Sequence, residues 1–149
     1  MSPIRYFISF ILLFCFNALD AQITAEKKKL TALRIHDEVK IDGVMDEEAW
    51  SHAAIANKFI VNEPNPGIAS HFDSEIKILY DDEAIYIGAL LKDAHPDSIL
   101  KQLTQRDELG NSDFFAVTFD CYRDGINGLE FVVTAAGVQQ DTKYSQNQQ

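Results

Sequence analysis

Apolar and polar positions alternate with three different rhythms along this chain. A nearly unbroken apolar run, Tyr6–Phe16, comes first, and residues 22–34 that follow are polar with no lasting period. Val39-Lys-Ile-Asp-Gly43 predicts a short strand closed by a glycine turn. Met45–Ala54 predicts a short helix, with Asp46 as N-cap, Glu47 and Glu48 at its positive end, and Ala49, Trp50, Ala53 and Ala54 on one apolar face. Asn62-Glu-Pro-Asn-Pro-Gly67 is a loop by its breakers.

Beyond residue 74 the period becomes two. Ile76, Ile78 and Tyr80 share one side of a strand, Asp81-Asp-Glu83 turns the chain, and Ala84–Leu91 is apolar on both faces, as in a central strand. Pro96 suits the first turn of a helix running to about Leu103. Phe115, Val117, Phe119 and Cys121 then line one face of a strand; Arg123-Asp-Gly125 turns; Leu129, Phe131, Val133 and Ala135 line the next. Val138–Tyr144 follows a break at Ala136-Gly137. Five or more strands with one or two short helices predict a mainly β chain, an antiparallel β-sandwich, left incomplete at the C-terminus by the polar tail ending at Gln149.

The first run changes the picture of where the protein works. Arg5 precedes the apolar stretch and the small residue Ala21 closes the polar region after it, the layout of a signal peptide over residues 1–21, cleaved before Gln22. Eleven residues fall short of the roughly 20 that span a bilayer. Export to the periplasm, outer membrane or extracellular space is expected. Residues 22–35 form a linker or edge segment, and 36–149 the domain.

Removing the leader leaves 128 residues, enough for one core, and the net charge stays at −10 because Arg5 and Asp20 leave together. A chain this acidic, whose one basic run is Lys27-Lys28-Lys29, does not fit nucleic acid as a partner. Cys121 is the one cysteine left after cleavage, so no internal disulfide forms, and its apolar surroundings suggest a buried small hydrophobe.

Three segments in order carry a family likeness: Ile41-Asp-Gly-Val-Met-Asp-Glu-Glu-Ala-Trp50; Ile76–Ile87 with Lys92-Asp93; and Asp113–Asp120 leading to Glu130–Thr134. With this spacing the chain resembles carbohydrate-binding module family 9 over about residues 36–144. It is most similar to the branch at the N-terminus of long exported bacterial proteins. The resemblance implies a β-sandwich that binds polysaccharide or oligosaccharide without catalysis, joined to a C-terminal outer-membrane region of a longer parent linked to glycan breakdown. It also implies a site that is not preserved. Gly110, Ala116, Val132 and Thr134 stand where sugar-binding members carry Trp, Glu, Arg and Asn, and of these only Thr134 keeps a hydrogen-bonding group.

The candidate carbohydrate-binding residues are therefore Arg106, Asp107, Asp113 and Thr134. A surface ion pair and a strand-start carboxylate explain the first three as well. Asp120, Asp124 and Asn127 around Gly125 form an oxygen-rich loop of the kind calcium uses, at a spacing unlike the helix–loop–helix site, and a hairpin turn accounts for them. No cofactor is expected. His36, His52, His71 and His95 lack metal-ligand spacing, no serine sits in a glycine-flanked elbow, and no carboxylate pair stands out for glycoside hydrolysis, so the chain itself is not expected to be an enzyme. The competing reading is a structural or docking domain of an outer-membrane-associated protein that has lost sugar binding. An exposed aromatic strip separates the two.

Overall fold

The structure, a computed structural model, describes residues 28–145. The expected signal peptide at 1–21, its cleavage point, Lys27 and the tail beyond Ser145 lie outside the described residues. The class is mainly β, as expected: two three-stranded sheets with few helices. The elements are β1 (Leu33–Arg34), α1 (Glu48–His52), β2 (Ser74–Tyr80), β3 (Ile85–Leu91), a 3-10 turn (Pro96–Ser98), β4 (Phe114–Phe119), β5 (Gly128–Thr134) and β6 (Gln139–Tyr144). Among the described residues no helix is long and apolar enough to cross a membrane. The chain divides into two compact units, one holding residues up to Ala56 with Ile76–Gly88, the other Asn57–Glu75 with Ala89 onward.

The first unit is organised around Trp50, which is 4% exposed and packs with Ile35, Val39, Ala53 and Leu79. Leu33, Met45, Ala49 and Tyr86 close the cluster from its edge. The helix is shorter than its sequence pattern predicts, and Asp46 is not its cap. Glu47 takes the N-cap position without capping the helix through its side chain. Its carboxylate instead accepts the Lys40 backbone N–H at 2.8 Å and the Trp50 indole N–H at 3.0 Å. That bond explains why Val39–Gly43 is no strand: the Lys40 amide is spent on Glu47, and Asp42 accepts the Val44 amide in a tight turn.

In the first sheet β2 is central and β3 lies at an edge, the reverse of what the doubly apolar sequence of β3 suggests. Backbone bonds Asp81 N–H to Ala84 O and Lys92 N–H to Asp73 O bracket the β2–β3 hairpin at its two ends. The Asp81 carboxylate locks the turn, accepting the Glu83 and Ala84 amides and the Tyr86 hydroxyl, and these donors lower its pKa. β1 joins β2 in parallel, Leu33 opposite Leu79 and Arg34 opposite Tyr80. The deepest residue of β2 is Leu79, fully buried, on the face opposite Ile76, Ile78 and Tyr80.

In the second unit the expected helix from Pro96 shrinks to a single 3-10 turn. Asp113 ends it: its carboxylate accepts the Leu100 amide at 3.1 Å, and its own amide donates to Leu100 O at 2.8 Å, drawing residues 100 and 101 out into a bridge with Ser112. The second sheet has the order β4-β5-β6, antiparallel throughout, with Phe114 opposite Thr134 and Gly128 opposite Tyr144.

Candidate functional site

The β4-β5-β6 sheet has two chemically distinct faces, because residues paired across antiparallel strands point to the same side. One face carries Phe115, Val117 and Phe119 on β4 opposite Val133, Phe131 and Leu129 on β5. On β6 it continues as Gln139, Asp141 and Lys143. The Phe119 and Phe131 rings meet edge to face, 6.0 Å between centroids. This apolar face is not the buried one: Leu129, Phe131 and Val133 are all exposed. The opposite face holds Val132 and Thr134, both buried, with Thr118, Glu130, Thr142 and Tyr144 further along. Glu130 ties this polar face together, accepting the Tyr144 hydroxyl at 2.8 Å and the Thr118 hydroxyl at 3.1 Å. The hydrogen bond to Glu130, then burial, raise the Tyr144 pKa.

An open groove of about 530 Å³ wraps round the end of the β5–β6 pair. It is lined by Leu129 and Lys143 from the first face, Gly128 and Tyr144 from the second, and Cys121, Tyr122, Asp124 and Asn127 from the β4–β5 loop. Two aspartates shape that loop. Asp120 accepts the Asp124 and Gly125 amides, and Asp124 accepts the amides of Ile126 and Asn127 and the Asn127 side-chain N–H. Those bonds, led by the Asn127 amide, hold the Asp124 carboxyl below the usual range. Tyr122 is 78% exposed, an aromatic ring presented to solvent in a groove whose lining also includes Asn127 and Lys143. Cys121 lies past the end of β4 and is exposed, which corrects its expected burial.

The four residues singled out from sequence fall into two groups. Arg106 and Asp107 stand at the β6 edge. The Arg106 guanidinium donates to Gln139 Oε1 at 3.1 Å and to the Asp141 carboxylate, with Asp107 3.8 Å away. Asp107 adopts a positive φ of 67° and its amide donates to Gln139 O. Asp113 and Thr134 are spent on structure. Asp113 O accepts the Ala135 amide; the buried Thr134 hydroxyl accepts the Val138 amide at 3.1 Å and helps close the β5–β6 turn. Of the other positions marked by the family resemblance, Val132 is buried, Ala116 half-buried and Gly110 exposed. A Cβ at Gly110, where φ is +59°, would lie 2.7 Å from Thr104 Cγ2 and 3.0 Å from Gln102 Oε1.

The groove residues Tyr122, Lys143 and Tyr144 were not singled out from sequence as a site. A faint signal existed for Tyr122: it falls off the parity of Phe115–Cys121 and inside a turn, where burial gives no reason for a large ring. Among the described residues no cluster of three or more His, Cys, Asp or Glu is arranged to hold a metal ion. With the geometry in hand, comparison with known proteins adds nothing to it: no family model, curated protein or solved structure matches this chain.

Proposed function

We propose that this chain is a non-catalytic glycan-binding module of an exported protein, and that it holds its polysaccharide or oligosaccharide in the groove at the end of β5–β6. The observation that carries this is Tyr122, 78% exposed in a groove also lined by Asn127, Lys143 and Tyr144. A sugar offers an apolar ring face and a belt of hydroxyls, so it needs an aromatic platform with polar groups around it. The likeness to carbohydrate-binding module family 9 supports the class of ligand but not the place, since Ala116, Val132 and Thr134 offer a sugar almost nothing. The leader at 1–21 supports export.

One stacking ring and two or three polar contacts stabilise a short oligosaccharide by only a few kcal/mol, which corresponds to millimolar affinity of about −4 kcal/mol. Chemical-shift titration of the folded protein with neutral and acidic oligosaccharides tests this. The expected shifts centre on Tyr122, Asn127 and Lys143, and Tyr122→Ala weakens binding about 3- to 10-fold. A folded protein that binds none of them, or whose binding ignores Tyr122→Ala, refutes the assignment.

One observation favours a second reading, a docking domain: the exposed apolar face of Leu129, Phe131 and Val133. Under the glycan reading Phe131→Ser leaves oligosaccharide affinity unchanged. Under the docking reading the chain binds no sugar at all.

A further inference from the structure

We infer that the groove selects glycans carrying a carboxylate, that is, uronic acid residues, through Lys143; this rests on the glycan-binding reading above. The argument is an inventory of hydrogen-bonding groups at the groove. Both Asp124 oxygens are already taken, Oδ1 by the Ile126 and Asn127 amides and Oδ2 by the Asn127 side chain. The Tyr144 hydroxyl spends its proton on Glu130. Lys143 is different. It lines the groove, is exposed, and makes no ion pair among the described residues, whereas Arg106 is paired with Asp107 and Asp141, and Lys92 with Glu75. A lysine ammonium offers three donors and no acceptor. The groove thus holds one ammonium without an ion-pair partner among the described residues, beside rings that take an apolar sugar face and an Asp124 carboxylate bound up in its own loop. An ionised carboxylate makes a charge-assisted bond to an ammonium that a neutral hydroxyl cannot match, so a uronic acid gains more from Lys143 than a neutral sugar does.

The net charge of −10 opposes an anionic ligand at long range. At physiological salt, however, charges beyond about 8 Å are largely screened, so the local balance decides: the Lys143 ammonium against an Asp124 carboxylate whose charge its own loop's N–H donors partly offset. The preference therefore belongs to one uronate at the groove rather than to a long polyanion spread over the surface.

The test is calorimetric titration of the full chain with a uronic acid tetrasaccharide and with the same tetrasaccharide after its carboxyls are reduced to alcohols. The acidic form is expected to bind about 2- to 5-fold more tightly, a preference that shrinks with added salt and disappears in Lys143→Gln. Lys143 is exposed, so the variant keeps the fold, which circular dichroism checks. Equal binding of the two forms overturns the selectivity and leaves the glycan reading standing. A preference that survives Lys143→Gln overturns the role of Lys143. Binding of neither form defeats the glycan reading and this inference with it.

Discussion

Replacing Trp50 by alanine tests whether the first unit is built on that indole. The ring is 4% exposed, its N–H bonds Glu47, and it touches Ile35, Val39, Ala53 and Leu79. Its fit under β3 is close: a Cβ on Gly88 would stand 3.0 and 3.1 Å from Trp50 Cζ3 and Cη2. Truncating a large buried aromatic costs about 3–5 kcal/mol in transfer and cavity terms. Trp50→Phe separates packing from polarity, because it keeps most of the ring and removes the N–H donor, a loss of about 1 kcal/mol. The assay is urea unfolding followed by far-ultraviolet circular dichroism, since the variant has no tryptophan to report. At a slope of about 1.5 kcal/mol per molar, a 4 kcal/mol loss moves the midpoint by roughly 2.5 M. Total stabilities run about 5–15 kcal/mol, so the variant is expected to be partly unfolded even without urea if the protein lies at the low end. A loss below about 1 kcal/mol would refute the core role, and so would a wild-type indole readily quenched by acrylamide.

The same contact predicts the outcome of an opposite change. Gly88→Ala puts a methyl group 2.3 Å from Met45 Sδ and against the Trp50 ring, and overpacking of this kind costs about 1–3 kcal/mol; adding Met45→Ala should recover part of the loss in the same urea assay, and no recovery would count against the contact. Acid should destabilise the fold. Glu47, Asp81 and Asp124 all titrate below their ordinary values of 4.5, 3.8 and 3.8 because hydrogen-bond donors hold their charged forms. The folded chain therefore binds fewer protons than the unfolded one, and this contribution is present above those ordinary values and lost as pH falls through the lower folded-state ones. A urea midpoint at pH 3 equal to or above that at pH 6 would contradict it.

The sequence was legible wherever the physics is local. Trp50 declared itself as a core anchor, and Asp81 and Asp124-Gly125 as turns, because each depends on neighbours a few residues away. The β4 and β5 strands followed from their period, and β6 from the break at Ala136-Gly137 before it. What escaped was decided at a distance. Residues 22–35 allowed an edge segment, and β1 is one, but its two-residue extent and parallel pairing are set by Leu79 and Tyr80 more than forty residues later. Period alone cannot say which face is buried: Leu79, Val132 and Thr134 lie deep, while Ile76, Ile78, Phe131 and Val133 stay on the less buried sides of their strands. Glu47, not Asp46, takes the N-cap position, its two carboxylate oxygens accepting the Lys40 amide and the Trp50 indole separately, a choice no propensity scale contains. The candidate groove was hidden for a similar reason. Its members come from a loop and two strand ends, and Arg106, Asp107, Asp113 and Thr134, which looked more promising, turned out to be engaged in holding the sheet.

The exposed stripe of Leu129, Phe131 and Val133 sets two forces against each other whenever two copies of the chain approach. Contact between such stripes draws molecules together whatever the ionic strength, and the edge of β4, which pairs with no further strand among the described residues, offers backbone groups for pairing. The charge of −10 drives them apart, but only within a Debye length, which shrinks from about 30 Å at 0.01 M salt to about 8 Å at 0.15 M, and it vanishes toward pH 4.7. Colloidal behaviour is thus a property of the medium as much as of the molecule, governed by an acidic surface that acts as a brake on its own apolar strip.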